Sequence, residues 1–343
     1  MTPFSLLISD IEKITSDSVK ISFNIPDNQK ITFDFFAGQY ITLESTIEGE
    51  IVRRAYSICS EPNNEPLSIA IKQIPNGKFS TFANTELRKG QTIFVYPPEG
   101  KFAYIHEIYT ENLALFAAGS GITPLLSIIK VALHKTSQKI VLLYGNKTKE
   151  STMFLSEIET LKEKFPDRFF VHYIFSQSHE KNEFFGRIDE TIINHLLKNK
   201  YKDIDFQRFY ICGPQAMVQM IKTMLTQSYN PKNIHTELFV IQEVNHKKYE
   251  GTTRLSVQFH SSVKTFEIAR EKSILESLLQ HGLDVSYSCK GGACSSCISK
   301  VTEGKAEMEK NQVLSDTEIE NGLILTCQAH PITDILTLNY DEV

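Results

Sequence analysis

Three cysteines fall within nine residues of this chain, Cys289, Cys294 and Cys297, spaced C-x4-C-x2-C, and a fourth, Cys327, follows after 29 more. Few sequence features constrain a fold as tightly. A loop carrying three ligands has to wrap closely around one inorganic group, and the remote fourth thiol has to reach the same place. The spacing is that of a plant-type 2Fe–2S centre. The loop YSCKGGACSSC suits such wrapping, because Gly291, Gly292 and Ala293 let backbone N–H groups approach the sulfurs. Two other uses of these thiols remain open. Structural zinc is usually held by two C-x2-4-C pairs, whereas three ligands share one loop here. A dithiol pair at Cys294 and Cys297 leaves Cys289 and Cys327 without a task.

Charge follows the same division. The net charge of the 343-residue chain is −5, yet Leu255 to Val343 carries 7 basic and 13 acidic residues, leaving the front nearly neutral at +1. Nucleic-acid binding thus has no bulk electrostatic support. With 41% hydrophobic and 22% charged residues, the composition is that of a globular chain with enough length for two or three domains. No basic residue precedes the short apolar stretch before Asp10, so a secretory signal is not expected. The longest uncharged run, Leu113 to Ile129, is broken by Gly119, Ser120, Gly121, Thr123 and Pro124, which suits a strand, turn and helix better than a membrane span. A cytoplasmic, reducing location is the expectation, and there clustered thiols serve as metal ligands more readily than as bridges.

Three rhythms run along the chain. From Ser5 to about Ala103 a period of two marks VKISFNI, KITFDF, QYITLES, RRAYSIC, LSIAIKQI and TIFVYPP as strands of an antiparallel β-barrel. Beyond it, the apolar runs LALFAAG, KIVLLYG, RFFVHYIFS, RFYICG and IHTELF alternate with helix-length amphipathic stretches, the pattern of an α/β domain with a parallel sheet. A polar stretch then leads into LSVQFH, KTFEIA and a helix around Ser273 to His281. The expected domains are 1–106, 107–241 and 253–343, with a linker at 242–252.

Several segments suit phosphate or aromatic ligands. Alternation on the RRAYSIC strand puts Arg54 and Tyr56 on one face, a guanidinium beside an aromatic plane. Gly77, Lys78, Phe79, Ser80 and Thr81 precede a helical stretch whose first amides could receive a pyrophosphate. Gly119, Ser120, Gly121, Thr123 and Pro124 lie between a buried strand and a helix, again with a helix N-terminus available, although the third glycine of G-x-G-x-x-G is missing. A second strand-to-helix junction falls at Cys212, Gly213 and Pro214. After the second and third strands of the α/β region stand Asn146, Lys147, Ser176 and Gln177 instead of an acidic residue, which favours a 2′-phosphate over a 2′-hydroxyl and therefore NADPH over NADH.

Taken together, R-x-Y-S, G-S-G-I-T-P, Y-G-N-K, C-G-P and the IHTELF ending resemble the ferredoxin-NADP reductase superfamily, and LSVQFH through SCKGGACSSC to LTCQAHP resembles plant-type ferredoxins. The resemblance covers almost the whole chain and is greatest to reductase components of multicomponent oxygenases. It implies an FAD barrel (FMN being the lesser alternative), an NAD(P) domain and an α+β, β-grasp ferredoxin domain. It further implies that Tyr56 packs on the flavin, Ser57 lies near its N5 and Arg54 holds phosphate. Cys212 and Glu237 would border the nicotinamide, with Phe239 close by, and Cys289, Cys294, Cys297 and Cys327 would ligate the cluster. The implied partner is an oxygenase or another electron-accepting protein, with Glu303, Glu307 and Glu309 as candidate steering charges. The competing readings are a self-contained oxidase and a non-enzymatic redox or metal sensor. Cys59 is assigned to packing.

Overall fold

The computed structural model describes residues 2–239 and 249–343, which form two compact units, residues 3–239 and a C-terminal unit. Most of the expected linker at 242–252 lies outside the described residues.

The first unit opens with six strands: β1 (Phe4–Thr15), β2 (Ser18–Asn24), β3 (Tyr40–Ile47), β4 (Glu50–Ser57), β5 (Ser68–Lys72) and β6 (Thr92–Glu99). They pair antiparallel in the order β4-β3-β6-β1-β2-β5. A bridge between Ile58 and Ile69 then joins the two ends, and the Cys59 amide donates to the Ser68 carbonyl at 2.9 Å, so the sheet closes on itself. Ile8, Ile21, Ile41, Leu43, Ile58, Ile69 and Val95 fill the interior and are fully buried. Each such side chain stabilises the fold by about 1.5–3 kcal/mol. One helix, α1 (Lys78–Thr85), starts at Gly77.

Two details of the barrel differ from the sequence pattern. KITFDF is not a strand: a short helical turn at Asp27–Gln29 continues into turns, and the Phe33 amide donates back to the Gln29 carbonyl at 3.1 Å. Alternation misleads here because only Phe33 is buried, whereas Ile31 is 95% exposed. Pro26 fixes the entry to this turn. The twelve-residue β1, conversely, is absent from the period-two segments. Its register against β2 shifts between Ile8 and Asp10 and again between Lys13 and Thr15, so no single alternation runs through it.

The rest of this unit is a parallel sheet: β7 (Asn112–Ala118), β8 (Ile140–Asn146), β9 (Phe169–Phe175), β10 (Phe184–Phe185), β11 (Phe206–Gly213) and β12 (Ile234–Leu238). The helices are α2 (Ile122–Lys135), α3 (Leu155–Lys164), α4 (Glu190–Asn194) and α5 (Gln215–Thr226). The order β10-β9-β8-β7-β11-β12 reverses direction between β7 and β11. In an open parallel sheet the crevice at such a reversal, beyond the strands' carboxyl ends, is where ligands bind. GSGITP follows β7 and C-G-P ends β11, so both motifs stand at that crevice. Barrel residues Ala37, Cys59, Phe102 and Tyr104 share one hydrophobic core with Leu125, Ile128 and Ile129 of α2.

The C-terminal unit contains β13 (Thr252–Phe259), β14 (Ser262–Ala269), α6 (Ile274–Gln280), β15 (Ile298–Glu303), β16 (Ala306–Met308), α7 (Asp316–Glu320), β17 (Leu323–Leu325), β18 (Ala329–Pro331) and β19 (Ile335–Asn339). Its main sheet runs β14-β13-β19-β15-β17, with β13 and β19 parallel and the other pairs antiparallel. Ser273 caps α6 by accepting from the Glu276 amide. The loop from α6 to β15 carries Cys289, Cys294 and Cys297.

Candidate functional site

At the end of β4, Ser57 is buried and donates to Glu237 Oε2 at 3.2 Å across 180 residues of sequence. Cys212 pairs directly with Glu237 in the β11–β12 ladder, and its Sγ lies 4.0 Å from the same carboxylate oxygen. Burial, reinforced by the Glu237 charge, pushes the Cys212 thiol well above its ordinary value. It is therefore a neutral group at any physiological pH. One oxygen thus receives a hydroxyl from the barrel and a thiol from the parallel sheet.

The GSG turn meets this trio from the sheet side. A Cβ on Gly121 would collide with the Cys212 carbonyl, so the two loops approach at a distance only glycine permits. Gly119 adopts φ +55° and its carbonyl accepts from the Tyr144 hydroxyl at 3.1 Å. Thr123 Oγ1 donates to the Ser120 carbonyl, and Pro124 stands in the first turn of α2. Gly213 closes β11 and Pro214 precedes α5. Tyr144 was not anticipated: YGNK marks a strand end, but nothing in it shows that the hydroxyl reaches the GSG turn and, at 3.3 Å, the Met153 carbonyl.

At the ends of β8 and β9 the four expected residues form a backbone step: the Ser176 amide donates to Asn146 and the Gln177 amide to Lys147. Lys147 and Gln177 are exposed, whereas Asn146 is buried. Its side-chain amide lies against the Tyr144 hydroxyl and makes no other contact of hydrogen-bond geometry through its nitrogen, which suits a residue facing a polar ligand.

In the barrel, Tyr56 lies 5.7 Å from Phe79, ring to ring. Phe79 is itself buried and acts as a floor beneath the tyrosine. Burial raises the Tyr56 hydroxyl well above its ordinary value, against the opposing pull of Arg54. Arg54 is exposed, and its guanidinium donates to the Arg53 carbonyl at 2.7 Å. Ser80 is turned inward, bonding the Gly77 carbonyl and the Ile74 amide. Lys78 pairs with Glu50 at 2.6 Å, and Thr81 Oγ1 accepts from Gln73. Of this turn, the amides that open α1 are left to meet an anion. Phe239 stands just beyond β12 and is 38% exposed.

The four clustered thiols fall into two pairs in the C-terminal unit. Hydrogen bonding between Cys289 and Cys294 draws Cys289 below the usual thiol range and raises Cys294, and Cys327 and Cys297 divide in the same way. Backbone amides converge on the sulfurs: Gly291 donates to Cys289 Sγ at 3.4 Å, and those of Gly292 and Ser296 face Cys327 and Cys294. Gly292 holds φ +74°, a conformation that disfavours any side chain, with the Lys310 carbonyl close alongside. Gln328 ties the Cys327 segment to the loop through the Lys290 carbonyl at 3.0 Å. Among the described residues, no three metal-ligating side chains meet at one metal-ion position. Two thiol pairs wrapped by amides fit a two-iron centre. Glu309, expected on a surface, is turned inward: its side chain is 7% exposed and lies 3.9 Å from His330 Nε2. Glu303 is exposed and Glu307 half-buried. Cys59 is buried within the shared core, its thiol pushed up to about 12 by that burial.

Comparison with known proteins agrees with this division. Residues 5–104 match an oxidoreductase FAD-binding domain, residues 115–223 an oxidoreductase NAD-binding domain, and residues 258–331 a 2Fe–2S iron-sulfur cluster binding domain. The chain belongs to the family of flavin- and iron–sulfur-containing reductase components of oxygenase systems, and it is an oxidoreductase. It is 36% identical to a component of the 1,2-phenylacetyl-CoA epoxidase of Escherichia coli (strain K12), over 99% of both chains. It is 31% identical to the ferredoxin reductase component of 3-ketosteroid-9-alpha-monooxygenase from Rhodococcus rhodochrous, over 98% of this chain and 96% of that one. Phthalate dioxygenase reductase shares the fold with a TM-score of 0.64 and 26% identity, over 98% of each chain.

Proposed function

We propose that this reductase takes electrons from NADPH and delivers them through FAD and the 2Fe–2S cluster to a partner oxygenase of the phenylacetyl-CoA epoxidase type. The convergence of Ser57 and Cys212 on Glu237 Oε2 carries the first part of this reading. When bound, the flavin supplies hydride acceptance from the nicotinamide and the cluster supplies single-electron carriage. The protein's own residues do the rest. Glu237 orients Ser57 and Cys212, and Cys212, held neutral, offers an uncharged wall to the nicotinamide. Tyr56 covers the flavin ring with Phe79 behind it. Arg54, with one N–H held by the Arg53 carbonyl, offers the rest of its guanidinium to phosphate, and the amides of Lys78 to Ser80 complete that contact. Gly119, Ser120, Gly121, Thr123, Gly213 and Pro214 shape the pyrophosphate crevice, while Lys147 and Ser176, with the buried Asn146, meet the 2′-phosphate end.

The limit between 1–106 and 107–241 is supported by the bridge between Ala37 and Tyr104, which ends the barrel before β7 begins, and the start of the third domain near 253 by β13, which opens at Thr252. A cytoplasmic location is supported by the four clustered thiols, which a reducing compartment keeps available as ligands. No helix among the described residues is long and apolar enough to cross a membrane. A second partner class, ring-hydroxylating oxygenases, is favoured by the full-length similarity to phthalate dioxygenase reductase.

A visible spectrum of the purified protein tests the cofactors. Flavin bands over a broad iron–sulfur envelope that bleach on adding NADPH support the reading, and a colourless protein sinks it. Titrating candidate oxygenases under NADPH and NADH in parallel tests partner and nucleotide. Equal kcat/KM for both nucleotides would overturn the NADPH assignment.

A further inference from the structure

Lys130 lies midway along α2 and is 2% exposed, yet it carries an ammonium into a boundary where Ala37, Phe102 and Tyr104 of the barrel pack against Leu125, Ile128 and Ile129. Its Nζ reaches the Cys59 carbonyl at 3.3 Å, Glu65 at 2.8 Å and Glu157 at 2.5 Å. Cys59 and Glu65 belong to the barrel segment that follows β4, whereas Glu157 belongs to α3. The same face of α2 makes two more bonds to that segment. Ser127 Oγ donates to the Ser60 carbonyl at 2.7 Å, and His134 Nδ1 lies 2.8 Å from Glu61 Oε2. Residues 127, 130 and 134 are three and four apart, so they lie along one stripe of the helix. The segment is organised to meet them, since the Glu61 amide donates to Glu65 and Asn64 donates to Glu61.

An interface of this kind is costly as a source of stability. Burial opposes the lysine charge, and only Glu157 and Glu65 hold its ammonium above the ordinary lysine value. Well-packed apolar residues would bind two domains at least as firmly, whereas a buried ion pair satisfied in one geometry specifies alignment. What it aligns follows from the chain. Two residues before Cys59 stands Ser57, and α2 begins one residue after Gly121. The helix is thus rigid between the turn that lines the dinucleotide crevice and the grip on the strand carrying Tyr56 and Ser57.

We propose that Lys130 is a positioning residue: with Ser127 and His134 it locks the 59–65 segment onto α2 and so sets the register of Tyr56 and Ser57 against the GSG turn. The inference rests on the nicotinamide-to-flavin reading above. A lock of this type touches no reacting atom, so its effect is on rate through alignment and not on nucleotide affinity. Misplacement of about an ångström costs as much as a hundredfold in rate.

The test uses the full-length, FAD-loaded protein with Lys130→Met, Glu65→Gln and Glu157→Gln. Lys130→Met and Glu65→Gln are expected to slow flavin reduction at saturating NADPH by roughly ten- to a hundredfold, with nucleotide Kd changed by less than about threefold. Both should speed amide hydrogen exchange in residues 58–66. Glu157→Gln leaves the cross-domain bonds in place and should lower Tm while leaving exchange at 58–66 and the reduction rate near wild type. Lys130→Arg should restore part of the rate. If Lys130→Met loses thermal stability but keeps both the rate per bound flavin and the exchange pattern, the lysine is only structural and the proposal falls. If Glu157→Gln matches Glu65→Gln in both readouts, the cross-domain grip is not what matters and the proposal also falls. Wild-type flavin that NADPH does not bleach would instead sink the underlying reading.

Discussion

The cluster loop and the Ser57–Cys212–Glu237 site are built in opposite ways. Three of the four clustered thiols sit on one nine-residue stretch, and the fourth is brought alongside by the register of β15 against β17, where Ile298 faces Leu325. Ser57 and Glu237, by contrast, meet across 180 residues, with a closed barrel on one side and a parallel sheet on the other. A loop that wraps an inorganic group tolerates whatever lies beyond it, provided the small residues remain. A site assembled from separate domains depends on every surface that aligns them. Damage to the two sites should therefore be separable.

The sharpest break in that comparison is Cys294→Ser. It should cut electron delivery to a protein acceptor by more than roughly a hundredfold, because the cluster loses a ligand, while NADPH-dependent ferricyanide reduction stays within about twofold. Loss of both activities in a folded, flavin-loaded variant would show that the sites are not independent. Glu237→Gln probes the other side and should lower the rate of flavin reduction by about ten- to a hundredfold. Its iron–sulfur absorption should be unchanged, and stopped-flow at the flavin and cluster wavelengths checks both.

Smaller effects sharpen the same contrast. Gly121→Ala forces a methyl group against the Cys212 carbonyl and should cost about 1–3 kcal/mol, read as a lower Tm of the first unit with no change in the C-terminal unit. Cys212 also sets a pH limit. Its folded thiol value is raised above 9.0, so its contribution to stability is complete below that value. As pH climbs past 9.0 the unfolded chain sheds the proton first, and Tm should fall more steeply than in Cys212→Ala. Equal slopes for the two proteins would show that another group dominates. Smallest of all, Cys59→Ala should cost only about 1 kcal/mol and leave both activities untouched, since its thiol merely packs and donates to Ser68.

Legibility in the sequence divided along the same line. The thiol spacing pointed to the two-iron centre because that chemistry is local. That R-x-Y-S, G-S-G-I-T-P and C-G-P stand at strand ends was readable for the same reason, each being a short strand-to-turn signal. Where local pattern met tertiary demand, it failed. KITFDF alternates as a strand would, but Pro26 and the burial of Phe33 alone turned it into a helical corner. Glu309 reads as surface charge in the sequence, yet its side chain packs beside His330. Tyr144 and Lys130 carried no motif at all, since a hydroxyl reaching Gly119 and an ammonium reaching Glu65 depend on which elements become neighbours.

By itself, then, the sequence determined the order of barrel, parallel sheet and ferredoxin-like domain and the spacing of three thiols on one loop, but not that barrel and parallel sheet form one compact unit. These follow from periodicity, glycine placement and ligand spacing, which act over a few residues. Only the tertiary structure decided that Ser57 and Cys212 share one oxygen of Glu237, that the barrel closes through Ile58 and Ile69, and that Lys130 bridges the barrel and α2. Hydrogen bonds and ion pairs act over a few ångströms, and which groups come that close is decided by how whole domains pack.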